Sequence, residues 1–559
     1  MSSPLRMHMP DPQPKPGAQV LVESLLHCGI SCGFGIPSIH NIGIYECLRR
    51  VPQFQHWVAR HEQAAGFAAD GFYRRSGHVA AIFASTGPGN LFTLVPLLES
   101  LQSNTPVLLI GTNIASALQA QSGGALHETP SQLEILRPLT RYARRINSAD
   151  EIPEAVFEAA AMLRGTLPGP AFIEIPHDLL AAPANAEPAQ QPQETQGIVP
   201  SEQEQLEALA LIRQSLRPAM LVGSGIGDAG SALSFLAEQL QCPVFTTTSG
   251  KGQFADDHPL ALGCISRLAT PQQVFNDCDL LISFGARLTE FDTGRFALSL
   301  PQQHIRVLEN ADYAGTRFSA TLDLVGDTRA ISMSLAGADS RRQPWCDTSR
   351  LKAEERQRLE SLNADGYAAL MLLRELLSPD DVVANDQSIL NYWASAFFPV
   401  FQSGAFLYPY GSGTLGYGLP AAIGAACAIR QSGGKQRVVC IAGDGGFQYT
   451  MPELATLAQY NLPVKLLLVN DNAYGIIGFL QRMQFGHTHE VQLKNPDFCR
   501  LAGSYGIPAR RASSLSELKR EMADWLASPG PALLEWQTQL RSPWEAGAIP
   551  RPAGISKKS

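Results

Sequence analysis

Short apolar runs alternate with stretches of helical spacing along most of the chain. In a first block, about Gly17 to Leu180, Gln19–Cys28 carries a helical pattern and Cys32-Gly33-Phe34-Gly35 the end of a strand. Phe54–Ala59 reads as a strand, Gln63–Arg75 as a helix, and Val79–Ala84, Pro106–Gly111 and Ala171–Ile175 as further strands. This strand–helix–strand rhythm predicts a parallel sheet wrapped by helices. A second block, Ser201 to Gly337, repeats it with strands at Ala219–Gly225, Pro243–Thr247, Leu280–Gly285 and His304–Leu308. A third, Leu362 to Leu540, contains the apolar runs Arg437–Ala442 and Leu466–Val469, and resembles the first block in size and rhythm. The fold class is therefore α/β: three doubly wound domains with parallel sheets at 17–180, 201–337 and 362–540, the outer two related and the middle one Rossmann-like. The Pro-, Ala- and Gln-rich stretch Ala181–Pro200 reads as a connector. A polar, charged stretch near 339–358 leads into the third block, and the segment after Arg541, with three prolines, is expected to lie over another surface.

Composition narrows the classes of function. The 559 residues are 45% hydrophobic and 17% charged, with a net charge of −8, and no basic run or face suggests nucleic acid as a partner. No stretch reaches the roughly 18 apolar residues of a membrane span, and Met1–Pro16 is proline-rich and polar without an apolar core. The ten cysteines are scattered, several inside apolar runs such as Val438–Ile441 around Cys440. Buried thiols in a reducing compartment explain them better than disulfides, and Cys28 and Cys32 have no second pair at zinc spacing. The expectation is a cytoplasmic protein without a membrane segment. Two lysines in Ser556–Ser559 read as a frayed basic end.

One stretch concentrates the chemistry. From Ile441 to Gly475 an apolar strand breaks at Gly443-Asp444-Gly445, a helix follows, and a second apolar strand stops at Asn470-Asp471-Asn472. In parallel sheets ligands bind beyond the carboxyl ends of strands. Thr450 and Glu453 have capping-box spacing with Pro452 inside the helix, which places a helix N-terminus, suited to an anion, just after the loop. Either aspartate alone reads as a turn residue. The pair, with glycines and a capped helix between, suits Mg²⁺ bridging to a diphosphate, since Mg²⁺ takes one or two carboxylates plus phosphate oxygens and water. In the second block Gly223, Gly225, Gly227 and Gly230 lack the G-x-G-x-x-G spacing and read as a glycine-rich turn.

The order GDG, short helix, Asn-Asp-Asn resembles the thiamin-diphosphate motif of the acetolactate synthase, pyruvate oxidase and 2-oxo acid decarboxylase family. The resemblance covers nearly the whole chain in the family's order of pyrimidine-binding, central and diphosphate-binding domains. It implies thiamin diphosphate held through Mg²⁺ by Asp444, Asp471 and the Ala473 carbonyl; family members often have Asn where this chain has Asp471. "RHEQAAGFAADGFYR" matches the segment whose glutamate, here Glu62, activates the cofactor's pyrimidine. "YGSGTLGYGLPAAIGAA" implies the Gly413 carbonyl at the amino group and Leu415 as the wedge that bends the cofactor. "NDQS" implies Gln387 and Ser388 as diphosphate donors, joined by the amides of Gly445, Gly446 and Phe447, while "STGPGNLFTL" matches a loop near the pyrimidine. In this family the glutamate faces the metal site of another chain, which implies a homodimer or homotetramer.

Three departures bear on the reaction. "ALHETPSQ" places His127-Glu128 where acetolactate synthases have Phe-Gln, "FGIPSIHN" places His40 where they have a small residue, and Leu480 replaces an acceptor-selecting Trp. Imidazoles near the reacting carbon relay protons, which favours a 2-oxo acid decarboxylase giving CO₂ and an aldehyde, with His127 and His40 catalytic, over an acetolactate synthase-like carboligase. The "LHE-PSQ" pattern also looks like that of 2-ketoarginine (5-guanidino-2-oxopentanoate) decarboxylases, where Glu128 would pair with a cationic tail. A catalytically silent thiamin-diphosphate-binding paralogue is opposed by intact Glu62 and Asp444. "TTTSGKGQFADDHPLALG" resembles the family's FAD region, but the His-Gly that often follows is absent, so FAD is not expected.

Overall fold

The structure, a computed structural model, describes residues 14–119, 123–190, 192, 199–314, 317–337 and 342–551. The start of the chain up to Gln13 and the basic end Ser556–Ser559 lie outside the described residues. The chain divides into two compact units, Met1–Asp70 with His78–Glu194, and Gly71–Gly77 with Thr195–Ser559.

The first unit is built on six parallel strands: β1 (Cys32–Gly35), β2 (Gln55–Val58), β3 (Ala81–Ala84), β4 (Leu108–Asn113), β5 (Tyr142–Arg145) and β6 (Ala171–Pro176). Their order is β2-β1-β3-β4-β6-β5. Strands β1, β3, β4 and β6 are buried along their whole length, as covered parallel strands are. The edge strand β5, half-buried throughout, was not predicted. One face carries the helices Gly17–His27 and Ile152–Leu163, whose Val20, Leu21, Leu25, Val156 and Ala159 form a core with Phe83, Ile110 and Ile173 of the sheet. Part of the expected connector is built into this unit rather than hanging free. Pro183–Ala184 pairs antiparallel with Lys15–Pro16, and the Ala189 amide donates to Ser24 Oγ at 3.0 Å.

The second unit holds two six-stranded parallel sheets among its described residues. The first comprises β7 (Pro218–Val222), β8 (Val244–Thr246), β9 (Ala261–Cys264), β10 (Leu280–Phe284), β11 (Gln303–Leu308) and β12 (Leu322–Val325), in the order β9-β8-β7-β10-β11-β12. This is the doubly wound Rossmann order, reversing direction between β7 and β10. The second comprises β13 (Val382–Asn385), β14 (Phe406–Leu407), β15 (Val438–Gly443), β16 (Val464–Asn470), β17 (Ala509–Ala512) and β18 (Ala532–Gln537), in the order β14-β13-β15-β16-β18-β17. That is the strand order of the first unit, so the outer blocks share one topology and the middle block has another.

Within the second unit, Arg267 pairs with Glu355 and donates through Nε to the Ala396 carbonyl at 2.9 Å, while Asp256 Oδ2 accepts from the Val400 amide at 2.9 Å. The chain after Arg541 does lie over another surface. Arg358 holds the carbonyls of Gly547 and Ala548 at 3.2 and 3.0 Å, and Ala548 and Ile549 are buried. All ten cysteines are free. Among the described residues no helix is long and apolar enough to cross a membrane.

The glycines after β7 serve packing. A Cβ at Gly223 would stand 2.2 Å from the Gly285 carbonyl oxygen and 2.6 Å from Ala286 Cα, so two strand-to-helix turns press backbone on backbone where the sheet reverses. Because backbone flanks the site, Gly223→Ala should lower the unfolding free energy by about 1–3 kcal/mol, the usual cost of forced overpacking. Urea unfolding of the variant beside the wild type checks this, and equal midpoints would refute it.

Candidate active site

The two aspartates meet because the sheet brings them together. β15 and β16 are adjacent and parallel with Gly443 opposite Val469, so both strands end side by side. The helix begins at Asp444 itself, with Gly443 as its cap, and runs to Thr450. This corrects the expected capping box. Thr450 lies at the end of that helix, and its Oγ1 donates to the Gly416 carbonyl at 3.0 Å, while Glu453 Oε2 accepts from Thr456 Oγ1 at 2.5 Å. The first-turn amides without an intrahelical partner are therefore those of the Asp-Gly-Gly-Phe segment.

Asp444 is 2% exposed. Burial pushes both the Asp444 and the Asp471 carboxyl above the ordinary carboxylate range, and for Asp471 the neighbouring Asp444 charge adds to it. The two carboxyl groups also hydrogen-bond to each other. Two carboxylates in one buried site cannot both ionise cheaply without a cation. Asn495 Nδ2 donates to Asp444 Oδ2 at 2.5 Å and to Asn470 Oδ1 at 3.0 Å, and Asn470 Nδ2 donates to Glu535 Oε1 at 2.7 Å. Asp471 Oδ1 accepts from the Ala473 amide at 3.1 Å, which folds the chain back so that Ala473 lies beside the pair.

The loop after β13 and the segment Gly416–Gly418 converge on Asp386, which no local sequence signal marks. This 1% exposed carboxylate accepts from the amides of Gln387 and Gly416 on Oδ1 (2.8 and 3.0 Å) and of Gly418 on Oδ2 (3.0 Å). A Cβ at Gly446 would stand 2.7 Å from Asp386 Oδ1 and 3.5 Å from Leu415 Cδ2, and one at Gly445 2.7 Å from the Tyr474 ring. Both glycines are thus demanded by close approach. Gly413, with φ +66°, lies beside Gln387 Nε2, whose amide also meets the Tyr408 hydroxyl at 3.0 Å. Ser388 caps the helix Ile389–Phe397 by accepting from the Asn391 amide at 3.2 Å, which leaves its O–H proton available to donate. Phe447 is buried edge-on against Phe498. Gln387, Ser388, Gly413, Leu415, Gly445, Gly446 and Phe447 therefore line one neighbourhood beside Asp444 and Asp471.

The first unit assembles Glu62, His127 and His40. Glu62 opens the helix Glu62–Ser76, and a Cβ at Gly89 would stand 3.1 Å from its Oε1. A Cβ at Gly87, two residues earlier in the loop after β3, would stand 2.3 Å from the His127 carbonyl. Gln132, fully buried and also unremarked in the sequence, accepts from the Gly87 amide at 2.8 Å and donates to the Thr112 carbonyl (3.1 Å) and Glu174 (2.8 Å). His40 follows β1, in a turn held by Asn41 Nδ2 on the Ile36 carbonyl at 3.0 Å. Its ring centroid lies 5.2 Å from that of His127 and 5.1 Å from that of His177, which directly follows β6. Burial, then the neighbouring His177 and His127, lower the His40 pKa. Glu128 is tied to its own turn, Oε2 accepting from the amides of Gly124 and Ala125 at 2.8 and 3.1 Å.

The second unit sets carboxylates at adjacent strand ends beside a glycine cradle, the first unit sets a glutamate near a pair of imidazoles, and comparison with known proteins identifies the class. Residues 15–135, 206–335 and 387–536 match the N-terminal TPP-binding, central and C-terminal TPP-binding domains of the thiamine pyrophosphate enzymes. The chain belongs to that family. It is 32% identical over 532 residues to the probable 2-ketoarginine decarboxylase AruI of Pseudomonas aeruginosa, covering 92% of this chain and 93% of the other. It is 30% identical over 551 residues to the probable acetolactate synthase large subunit of Methanocaldococcus jannaschii, covering 93% and 91%. A crystal structure of a candidate thiamin diphosphate-dependent enzyme from Mycobacterium smegmatis shares the fold, with TM-score 0.79 and 22% identity over 94% of this chain and 100% of that one.

Asp386→Asn replaces one acceptor oxygen by a donor facing an amide, so it should cost about 1–3 kcal/mol. Burial raises the Asp386 pKa to about 6. The folded state therefore holds the proton more tightly than the unfolded one, and this group's contribution is lost as pH rises from about 4 to 6. The stability difference between wild type and variant should narrow across that window; pH-independent differences in urea unfolding would contradict the assignment.

Proposed function

We propose that the protein is a thiamin diphosphate- and Mg²⁺-dependent decarboxylase that converts a 2-oxo acid to CO₂ and the aldehyde one carbon shorter. The domains carrying it are 17–180, 201–337 and 362–540. Mg²⁺ is bound by Asp444, Asp471 and the Ala473 carbonyl. The fit rests on two adjacent carboxyl groups, both raised by burial and Asp471 further by the Asp444 charge, which a divalent cation relieves. The diphosphate is held by the amides of Gly445, Gly446 and Phe447 with Gln387 and Ser388, in a cradle that side chains at Gly445 and Gly446 would fill. Gly413 and Leu415 orient the organic rings, and Glu62 binds the pyrimidine. When bound, the cofactor supplies the carbon nucleophile and electron sink that decarboxylation needs.

The observation that carries the choice of reaction is the pairing of His127 with His40, beside the loop that touches Glu62. Both Nδ1 atoms are buried without a hydrogen-bond partner among the described residues. Imidazoles so placed hold and move the proton that an aldehyde product requires. The likeness to AruI supports a guanidino 2-oxo acid as substrate. The likeness to acetolactate synthases supports the second reading, a carboligase joining two 2-oxo acids. Glu128, committed to its turn, is not the partner of a cationic tail in this reading. The protein is a cytoplasmic homodimer or homotetramer, with Glu62 of one chain facing the metal site of another. The exposed stripe Phe92, Val95 and Leu98 supports self-association, and the free cysteines fit a reducing compartment. No flavin is required.

A panel of charged and uncharged 2-oxo acids, assayed for CO₂ and aldehyde with thiamin diphosphate and Mg²⁺, tests the proposal. Chelation should abolish turnover, and His127→Phe should suppress aldehyde release by about 10²-fold or more. Acetoin-type product from pyruvate in place of aldehyde would favour the carboligase. Absence of H/D exchange at C2 of bound cofactor would mark a silent site, and yellow flavin released by acid would overturn the expectation on FAD.

A further inference from the structure

His177 takes no part in the chemistry assigned so far, yet it adjoins it. Its ring meets that of His40 edge-on, with centroids 5.1 Å apart and planes at 65°, and His40 in turn faces His127 at 5.2 Å. The three imidazoles come from three separate places in the fold: the turn after β1, the end of β6 and the loop that presses on Gly87. His177 is half-buried, whereas His40 between it and His127 is only 8% exposed. The ring of His40 keeps a buried Nδ1 without a hydrogen-bond partner among the described residues, and so does that of His127. A buried imidazole nitrogen left unpaired costs free energy, and the arrangement is explained if those nitrogens exchange protons during turnover. The charges that act on His40 are those of the two imidazoles on either side of it.

We propose that His177 is the outer member of a three-imidazole relay, His177–His40–His127, which carries a proton from solvent to the reacting carbon of the substrate. The inference rests on the decarboxylase reading. The overall balance is R–CO–COO⁻ + H⁺ → R–CHO + CO₂, so one proton is consumed per turnover. His127 gives up a ring proton to the carbon, His40 reprotonates His127, His177 reprotonates His40, and water reprotonates His177. Each ring accepts at one nitrogen and donates from the other, the rings turning from their present edge contacts to pass the proton directly or through a bridging water. His177 acts through His40 and is a positioning residue; His127 delivers the proton.

Three measurements test the relay. In His177→Asn, aldehyde release should fall roughly tenfold or more, within the range of general acid–base effects, while KM and C2 H/D exchange stay near wild type and free imidazole restores the rate. A wild-type rate, or a loss that imidazole does not rescue, overturns the proposal. On the wild type alone, the rate in mixed H₂O and D₂O should curve with deuterium fraction, as for several protons in flight; a linear dependence overturns it. In the cofactor-free protein, NMR titration should show the His40 pKa rising in His177→Asn, and an unchanged value overturns the contact itself. If the wild type releases no aldehyde from any 2-oxo acid, the decarboxylase reading fails and the relay with it, whatever the His40 titration shows.

Discussion

Two carboxyl groups held side by side at the ends of buried strands are the constraint on which the diphosphate-binding half depends. The register of β15 and β16 sets Asp444 and Asp471 at adjacent strand ends, and burial weakens the solvation that would let both ionise. The surrounding residues make sense as support for that pair. Asn495 spends its amide on Asp444 and Asn470, Asn470 is anchored by Glu535, and Glu535 by Arg511 at 2.7 Å, so the aspartate is fixed by a chain of polar contacts reaching to the sheet edge. Such support keeps the two carboxyl groups in register and resists the relaxation that would otherwise separate them.

The two outer sheets share one strand order and place their chemistry at the same end. In the first unit the His40 turn, the Ser85–Asn90 loop and His177 all follow the carboxyl ends of strands; in the second, so do Asp386, Asp444 and Asp471. A parallel sheet makes this arrangement natural, because each strand end opens into a loop on the same rim. The middle sheet uses the equivalent place differently. Its reversal point is closed by the backbone contact of Gly223 with Gly285, and its role here is to brace the third sheet through Arg267 and Asp256.

What the sequence made legible follows from what each element buries. Fully covered strands such as Ala81–Ala84 and Leu280–Phe284 are apolar runs, broken in the second only by Ser283, and are legible directly. Tyr142–Arg145 was missed because an edge strand carries polar side chains, and Arg144 and Arg145 are engaged with Glu154, Glu158 and Glu174. Asp444 and Asp471 were legible because glycines and strand ends announce them. The Thr450–Glu453 pair has the right spacing but the wrong place, since the helix had already begun six residues earlier. Asp386, Gln132, Asn495 and His177 carry no local signal. Each acts on partners distant in sequence, as Asn495 does on a carboxylate 51 residues away, and only folding brings them together.

The side chains around His127 divide their labour in a way that bears on chemistry. Glu128, its neighbour in sequence, spends an oxygen on two amides of its own turn and so shapes the loop. Gln132 fixes the Gly87 loop through an amide that carries no charge and does not titrate near neutrality. The groups left to exchange protons are imidazoles set against imidazoles, and those of His177 and His127 disfavour the charged form of His40 between them. An imidazole so placed gives up a proton readily. That property suits a reaction that must deliver one proton per cycle without stabilising the departing carboxylate in its ground state.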